Sequence, residues 1–536
     1  MIFNKINVFP LLSMLLLSSC YNIDTFSSSN ELKKDEAFKN VIIVGVDGAG
    51  SNFNHAYTPK TMEIFNDGAI TYTALSANPT ISAQSWGSML TGIIPDKHNF
   101  TNDSIATYKN NIHDTYPSIF KQIRNSYKDD VLASYTNWNP INIGIVEDNI
   151  NVVKYTNSDD NELTKAIISF LEIYKTRFMF IQLDNVDHIG HTYGYESTNY
   201  YEALKQADNN IYDIYNAIKL FNDNEDTLFI VTADHGGNGY SHGGYSESEK
   251  YVFTGFKNKN INNTIINNMY IRDIPAIVSY HLNINPSSSW DSYIPKNLFL
   301  DNLDPKSRKI NFNNLLNIDD LYNYINKDNI LVNLSFDGNL NNINDNFNIK
   351  SNGVITYDNG ISNKAIKLDK NNYLSINNLK FKNDSFTIST FIKIKNKNGD
   401  PVLFSNKNWI DGKNDGFVVS LRDDDIKFNV GKNVINRFDD TIHYPNKDYI
   451  NDWFHIAISY NKKNKTISTY INFSLESVKK ISNEVNFDSS LSFNIGQDGT
   501  GKYNLVADML LDEFMILNTC VNENDMYNLK KYYSKH

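Results

Sequence analysis

Between residue 40 and about residue 235, short apolar runs rich in β-branched residues alternate with stretches whose apolar positions recur every third or fourth residue. The run "NVIIVGVDG" is continuously apolar until Asp47 and predicts a buried strand. "SAQSWGSMLTG" predicts a helix opened by Ser82 and closed near Gly92. "DVLASYTNW" reads as a strand, and "DDNELTKAIISFLEIYK" places Leu163, Ala166, Ile167 and Phe170 on one helical face. The strand-like "RFMFIQLD", the amphipathic "YYEALKQADNNIYDIYNAIKLF" and the strand-like "TLFIVTAD" follow. This alternation predicts an α/β layered fold with a largely parallel sheet. Three of its strands run into acids: Asp47, Asp184 with Asp187 just beyond, and Asp234. Sites in open parallel sheets lie at the carboxyl ends of strands, so these acids are expected to converge.

The pattern changes beyond "RDIPAIVSYHLNINPSSSWDSYIP". After a helix-like stretch near "NIDDLYNYINK", apolar and polar residues alternate in short runs broken by Asn, Asp and Gly, as in "SFTISTFIKIK" and "WFHIAISYNKKNKTISTYIN". Short strands at that spacing predict an all-β sandwich. The chain of 536 residues is too long for one core. It divides into an α/β domain over 39–305, a linker over 306–329 and the sandwich over 330–536. Every acid and histidine singled out below precedes residue 243, so a cut near 325 is expected to leave a soluble catalytic fragment.

The N-terminus has its own pattern. In "MIFNKINVFPLLSMLLLSSC" a cation at Lys5 precedes an apolar run too short to span a bilayer, which predicts a signal peptide over 1–20. Its ending, Leu17-Ser18-Ser19-Cys20, resembles a bacterial lipobox, implying lipidation of Cys20, a polar tether over 21–38 and a location on the cell envelope. The only other cysteine is Cys520, so no intramolecular disulfide is expected. A net charge of -11 argues against a nucleic-acid partner.

Candidate chemistry gathers around "TLFIVTADHGGNGYSHGG" and "NVDHIGHTYG". An acid and imidazoles drawn together need a cation to hold them. In chain order the candidate ligands are Asp47, Asp187, His191, Asp234, His235 and His242, with Asp187 and His191 spaced i,i+4 on one side of a helical turn. That set is too large for one tetrahedral ion and suits two divalent ions, zinc or manganese, sharing a substrate. Thr80 and Ser82 offer hydroxyls at the start of a predicted helix, where free N–H groups can receive a phosphoryl oxygen. Either hydroxyl fits a nucleophile on this reading. The other histidines, His55, His98, His113, His281, His443, His455 and His536, are scattered and read as structural or solvated, and His188 points away from Asp187.

In this order "VDG", "PTISAQSWGSMLTG", "DHIGHTYG", "DHGG" and "HGG" resemble the alkaline phosphatase superfamily, in particular its nucleotide pyrophosphatase and type I phosphodiesterase branch. The resemblance covers about residues 40 to 290. It implies an alkaline phosphatase-like α/β sandwich, with Asp187, His191 and His242 on one metal and Asp47, Asp234 and His235 on the other. It also implies that Ser82, by its spacing to Thr91 and Gly92, is the metal-activated nucleophile. Phosphodiesterases of this group usually read Thr-Phe-Pro-Asn where this chain has Ser82-Ala83-Gln84-Ser85, so Ser85 takes the place of a substrate-binding Asn. The Cys/Ser-x-Pro-x-Arg signature of sulfatases is absent. The C-terminal part resembles laminin G or concanavalin A-like (jelly-roll) domains through "NDWFHIAISYNKKNKTISTYIN" and "LLDEFMILN", implying a carbohydrate- or matrix-binding module or a spacer. The expected function is metal-dependent hydrolysis of a phosphate ester through a phospho-serine. The alternatives are a phosphomonoesterase, a transferase of a phosphoryl head group, and a glycan-binding surface adhesin with an inactive enzyme domain.

Overall fold

The computed structural model describes residues 38–107, 115–221, 226–267, 269–300, 318–342, 347–382, 384–396, 399–422, 425–443, 452–481 and 484–534. The signal peptide, Cys20 and all of the tether but residue 38 lie outside them, as do residues 301–317 of the domain boundary. Among the described residues no helix is long and apolar enough to cross a membrane.

The first domain opens with β1 (Asn40–Val46), α1 (Pro59–Ile64), β2 (Ala69–Leu75), α2 (Ser82–Thr91), α3 (Pro95–His98), α4 (Asn102–Thr107) and α5 (Ile119–Ser126). It continues through β3 (Val131–Thr136), β4 (Val152–Thr156), α6 (Asp160–Ile173), β5 (Thr176–Leu183), α7 (Asn185–Tyr193) and α8 (Thr198–Phe221). It closes with β6 (Thr227–Thr232), α9 (Glu247–Lys250), β7 (Tyr251–Lys257), β8 (Thr264–Ile265) and α10 (Ile274–His281). The sheet runs β4-β3-β5-β1-β6-β7-β2-β8. The pairs from β4 to β6 are parallel, β7 is antiparallel to both neighbours, and β8 lies parallel to β2. Helices cover both faces, which is why β1, β5 and β6 are buried along their whole length and read as unbroken apolar runs. The strands that run into acids are neighbours, β5-β1-β6, so their carboxyl ends lie side by side.

Local signals fix the helices that matter here. The Asp159 side chain accepts the N–H groups of Asn161 and Glu162 and caps α6. Ile81, rather than Ser82, is the N-cap of α2, which makes Ser82 its first helical residue; Gly92 closes it at φ 67°, a left-handed conformation suited to glycine.

After α11 (Ile318–Leu321), the second domain is an all-β sandwich of two antiparallel sheets. One contains the strands Phe386–Asn396, Trp453–Asn461, Thr466–Ile471 and Asp508–Leu517, and the other contains Val402–Ser405, Gly416–Arg422, Asp425–Lys432 and Asn436–His443. Helix α12 (Glu523–Tyr533) ends it. Residues 38–536 form one compact unit, and the seam between the domains shows why. Ile94, just before α3, is buried in the same apolar cluster as Phe391, Met515, Met526 and Leu529. Asp96 accepts the Val478 N–H at 2.9 Å and the Lys479 ammonium at 2.8 Å. Lys97 bridges Asp291 at 2.6 Å and Glu523 at 2.7 Å. Arg272 and Glu476 pair across the seam with side chains 8% and 4% exposed. A cut near 325 would strip buried partners from the α/β domain, so the expectation of an independent fragment does not follow from this packing.

Candidate metal centre

The six sequence-derived ligands come together at the carboxyl ends of β5, β1 and β6. Ligand atoms of Asp187, His191 and His242 lie within 4.8 Å of one another, and so do those of Asp47, Asp187 and His235. Asp187 thus reaches both groups, whereas the expected partition gave it to one. Asp234 joins through Oδ2, 3.2 Å from His235 Nε2.

Each buried carboxylate is held by one oxygen and leaves the other bare. Asp47 Oδ2 accepts from Trp86 Nε1 at 2.8 Å and Gln182 Nε2 at 3.0 Å, while its Oδ1 has no hydrogen-bond partner. Asp234 Oδ1 accepts the N–H groups of Gly48 at 3.1 Å and His235 at 2.8 Å, while its Oδ2 has none. A buried acceptor without a donor costs about 1–3 kcal/mol, more when charged. Burial first, then the neighbouring Asp234 and Asp187 charges, push Asp47 well above the carboxylate range; burial and then Asp187 do the same to Asp234. Asp184 is raised to about 7 by burial and then by Asp187. Burial would raise Asp187 as well, but hydrogen bonding to His191, the neighbouring His235 and His242 imidazoles and the Tyr195 hydroxyl outweigh it and hold the group low.

The imidazoles complete the argument. His235 Nδ1 lies 2.9 Å from the Gly236 carbonyl, His242 Nδ1 2.7 Å from that of Thr80, and His191 Nδ1 2.9 Å from that of Tyr240. A carbonyl only accepts, so each Nδ1 carries a proton, and wherever the ring is neutral its Nε2 presents a lone pair. Burial lowers His235 to about 3, which keeps it neutral. Its Nε2 faces Asp47 Oδ1 at 3.6 Å, Asp234 Oδ2 at 3.2 Å and Ser82 Oγ at 3.2 Å. Lone pairs facing bare carboxylate oxygens repel unless a proton or a metal ion sits among them. The residues therefore fit divalent metal, and the ring–carbonyl contacts are the orienting bonds that metal-binding histidines use. His191, partly exposed, is raised to about 9 by its hydrogen bond to Asp187, a proton that a metal would replace.

Glycine is required where the chain passes closest. Gly48, at φ 68°, faces Asp187 so closely that a Cβ would lie 2.5 Å from Oδ1. A Cβ on Gly237 would lie 2.4 Å from the Tyr195 ring.

Ser82 is 7% exposed beside His235, at the start of α2. Thr80 is differently placed. Its hydroxyl accepts the Gly243 N–H at 3.0 Å and donates to the Gly244 carbonyl at 2.8 Å, clamping the loop that carries His242. Ser85 is fully buried with its hydroxyl 3.0 Å from that of Ser76, which in turn bonds to the Asp234 carbonyl. Through these bonds Ser85, the position expected to meet substrate, ties α2 to the end of β6. His98, His281 and His455 are buried on Ser88, the Asp226 carbonyl and Ser389, while His55 and His188 are exposed. His113, His536 and the His443 side chain lie outside the described residues.

Supporting residues that the sequence reading did not single out are Trp86, Gln182, Tyr195 and Asp160. Asp160 accepts the Asp184 N–H at 3.1 Å and the Asn185 N–H at 3.0 Å, pinning the start of α7. The Tyr195 hydroxyl donates to Asp187 Oδ1 at 2.5 Å.

Fold and site define an α/β domain with an acid–histidine cluster that fits metal, joined to a concanavalin-like sandwich. Residues 41–251 match the type I phosphodiesterase / nucleotide pyrophosphatase family, and residues 368–526 match the concanavalin A-like lectin/glucanases superfamily. Over 79 residues the chain is 37% identical to GPI ethanolamine phosphate transferase 1 of Yarrowia lipolytica, a match covering 15% of this chain and only 8% of that relative. The structure is similar to murine ectonucleotide pyrophosphatase / phosphodiesterase 5 at 13% identity and a TM-score of 0.41, over 46% of this chain and 96% of the other. It is also similar to the binding domain of Paraclostridial Mosquitocidal Protein 1, at 20% identity and a TM-score of 0.33, over 39% and 53% of the two chains.

Proposed function

We propose that this protein hydrolyses a phosphate ester through a covalent phospho-serine on Ser82, at a site holding two divalent ions, zinc or manganese. The observation that carries this reading is the juxtaposition of Ser82 Oγ, His235 Nε2 and the partnerless oxygens of Asp47 and Asp234. Asp187, His191 and His242 would hold one ion and Asp47, Asp234 and His235 the other, with Asp187 in reach of both. Bound ions would supply Lewis acidity, lowering the hydroxyl pKa and offsetting charge on phosphoryl oxygens. Ser82 Oγ gives up its proton to solvent and forms the new P–O bond as the bond from phosphorus to the ester oxygen breaks, and that oxygen takes a proton from solvent. Water then breaks the Oγ–P bond, releasing the phosphoryl group and restoring the hydroxyl. At the start of α2 the Ala83 N–H donates to Asn102 Oδ1 at 3.1 Å, so a phosphoryl oxygen would have to be received by its neighbours in that turn.

A second reading, transfer of the phosphoryl head group to an alcohol instead of water, is favoured by the match to the ethanolamine phosphate transferase. Export and anchoring at Cys20, with the sandwich binding carbohydrate, complete the proposal for the whole chain. The test is turnover of chromogenic phosphomonoesters and diesters by protein stripped with a chelator and reloaded with zinc or manganese. Full activity in the stripped protein would exclude the metal-dependent reading. An alcohol acceptor that diverts product from hydrolysis would select the transferase.

A further inference from the structure

We infer that the β-sandwich is a positioning part of the metal centre, acting on the His242 loop and the Ser82 helix through Tyr245, Arg272 and α3. The inference rests on the metal-site reading above. Its starting point is where the seam lies. A cavity of about 40 Å³ between the domains is lined by Ser76, Asp96, Tyr245, Arg272, Glu476 and Lys479, so residues adjoining the centre and residues of the sandwich share one wall.

Two routes lead from that wall to the chemistry. On the first, the Tyr245 hydroxyl, three residues past His242, donates to the Ser76 carbonyl at 3.2 Å, and the Ser76 hydroxyl bonds to the Asp234 carbonyl. Lys250, which ends α9, lies 5.6 Å above the Tyr245 ring and 3.7 Å from Asp425 of the sandwich. Asp425 and Glu476 both act electrostatically on Tyr245. On the second, α2 passes through Gly92 into Ile94, Asp96 and Lys97, which are set in the sandwich by apolar contact and ion pairs. Both ends of the candidate centre therefore rest on sandwich side chains.

Arg272 joins the routes. It is 6% exposed, its side chain pairs with Glu476, and its carbonyl accepts the Ser292 hydroxyl beside Gly92. Removing one member of a buried pair strands the other charge, so loss of Glu476 should shift the wall that Tyr245 and Ser76 share.

The test uses the full chain and zinc itself. Zinc affinity is measured by competition with a chromophoric chelator, with circular dichroism as the check on folding. Glu476→Gln is expected to bind zinc about tenfold more weakly, the scale on which outer groups tune a metal site. The double variant Arg272→Met with Glu476→Met should regain most of that affinity, because no charge is stranded. Wild-type affinity in folded Glu476→Gln would overturn the inference. If that variant does not fold, Tyr245→Phe, which deletes only the hydroxyl reaching Ser76, decides on the same criterion. A wild-type chain that binds no zinc or manganese would instead remove the metal-site reading itself and the inference with it.

Discussion

The seam and the candidate metal centre both bury acids, and they treat them in opposite ways. At the seam, the buried Asp291 and Glu476, the partly buried Asp96 and the exposed Glu523 each meet a lysine or arginine. At the ends of β5, β1 and β6, Asp47, Asp187 and Asp234 meet no lysine or arginine among the described residues, and the basic groups within 4 Å of their oxygens are histidine imidazoles. The seam carries its own counter-charge and is electrostatically complete. The candidate centre has no such counter-charge among the described residues, which suits a site that takes cations from outside. Burial of acids is common to both regions, so the distinguishing mark is the partnerless oxygen.

The sharpest way to test that difference is Ser82→Ala. It should lower turnover by roughly a thousandfold or more while bound metal, measured by elemental analysis, is unchanged. Loss of metal together with activity would mean that Ser82 belongs to the cation cage alone. Next in size, His235→Ala and His191→Ala should each cost roughly tenfold or more in metal affinity or activity, as read by chelator competition and kinetics.

A pH series extends the comparison to stability. Asp47, Asp184 and Asp234 are raised in the folded protein, so in chelated protein their contribution is present below the ordinary carboxylate pKa near 4. It is lost as pH rises through the shifted values, about 7 for Asp184. Metal requires the deprotonated forms. The gap in melting temperature between loaded and chelated protein should therefore widen from pH 4 to 7, and a constant gap would contradict it. Seam pairs and the buried His98, His281 and His455 are alike in both samples and cancel. The smallest effect belongs to Thr80→Ala, which removes a loop clamp worth about 1 kcal/mol per hydrogen bond, with a far smaller loss of turnover than Ser82→Ala. A phosphoryl group mapped to Thr80 by mass spectrometry would reverse the assignment.

The acids and histidines of the centre were legible because their strands are buried on both faces and therefore unbroken in sequence. β4 was not read: only five residues long, it is largely exposed and carries Lys154 within "VVKYT". β7, "YVFTGFK", was passed over because it follows the ligand loop directly and runs antiparallel, breaking the strand–helix alternation used to find the others. Trp86 and Gln182 were quoted within correctly read elements, yet their bonds to Asp47 span 39 and 135 residues, which periodicity cannot reveal. The same holds at the seam, where Ile94, Asp96 and Lys97 look like an ordinary turn until the sandwich is set against them. The sandwich itself was legible as a fold, because its alternation is local, while its attachment was not.

The separation of partners along the chain also sets an order of assembly during synthesis. Gly48 meets Asp234 across 186 residues, so no ligand cage can close until the loop carrying His242 has left the ribosome. Arg272 emerges shortly afterwards, but Glu476 follows 204 residues later. Through that interval the guanidinium and the apolar side chain of Ile94 have to stay wet or be shielded by another protein, since the surface that buries them does not yet exist. Ribosome stalling or premature termination within the sandwich would therefore release a chain with every candidate metal ligand present and an uncovered, aggregation-prone flank.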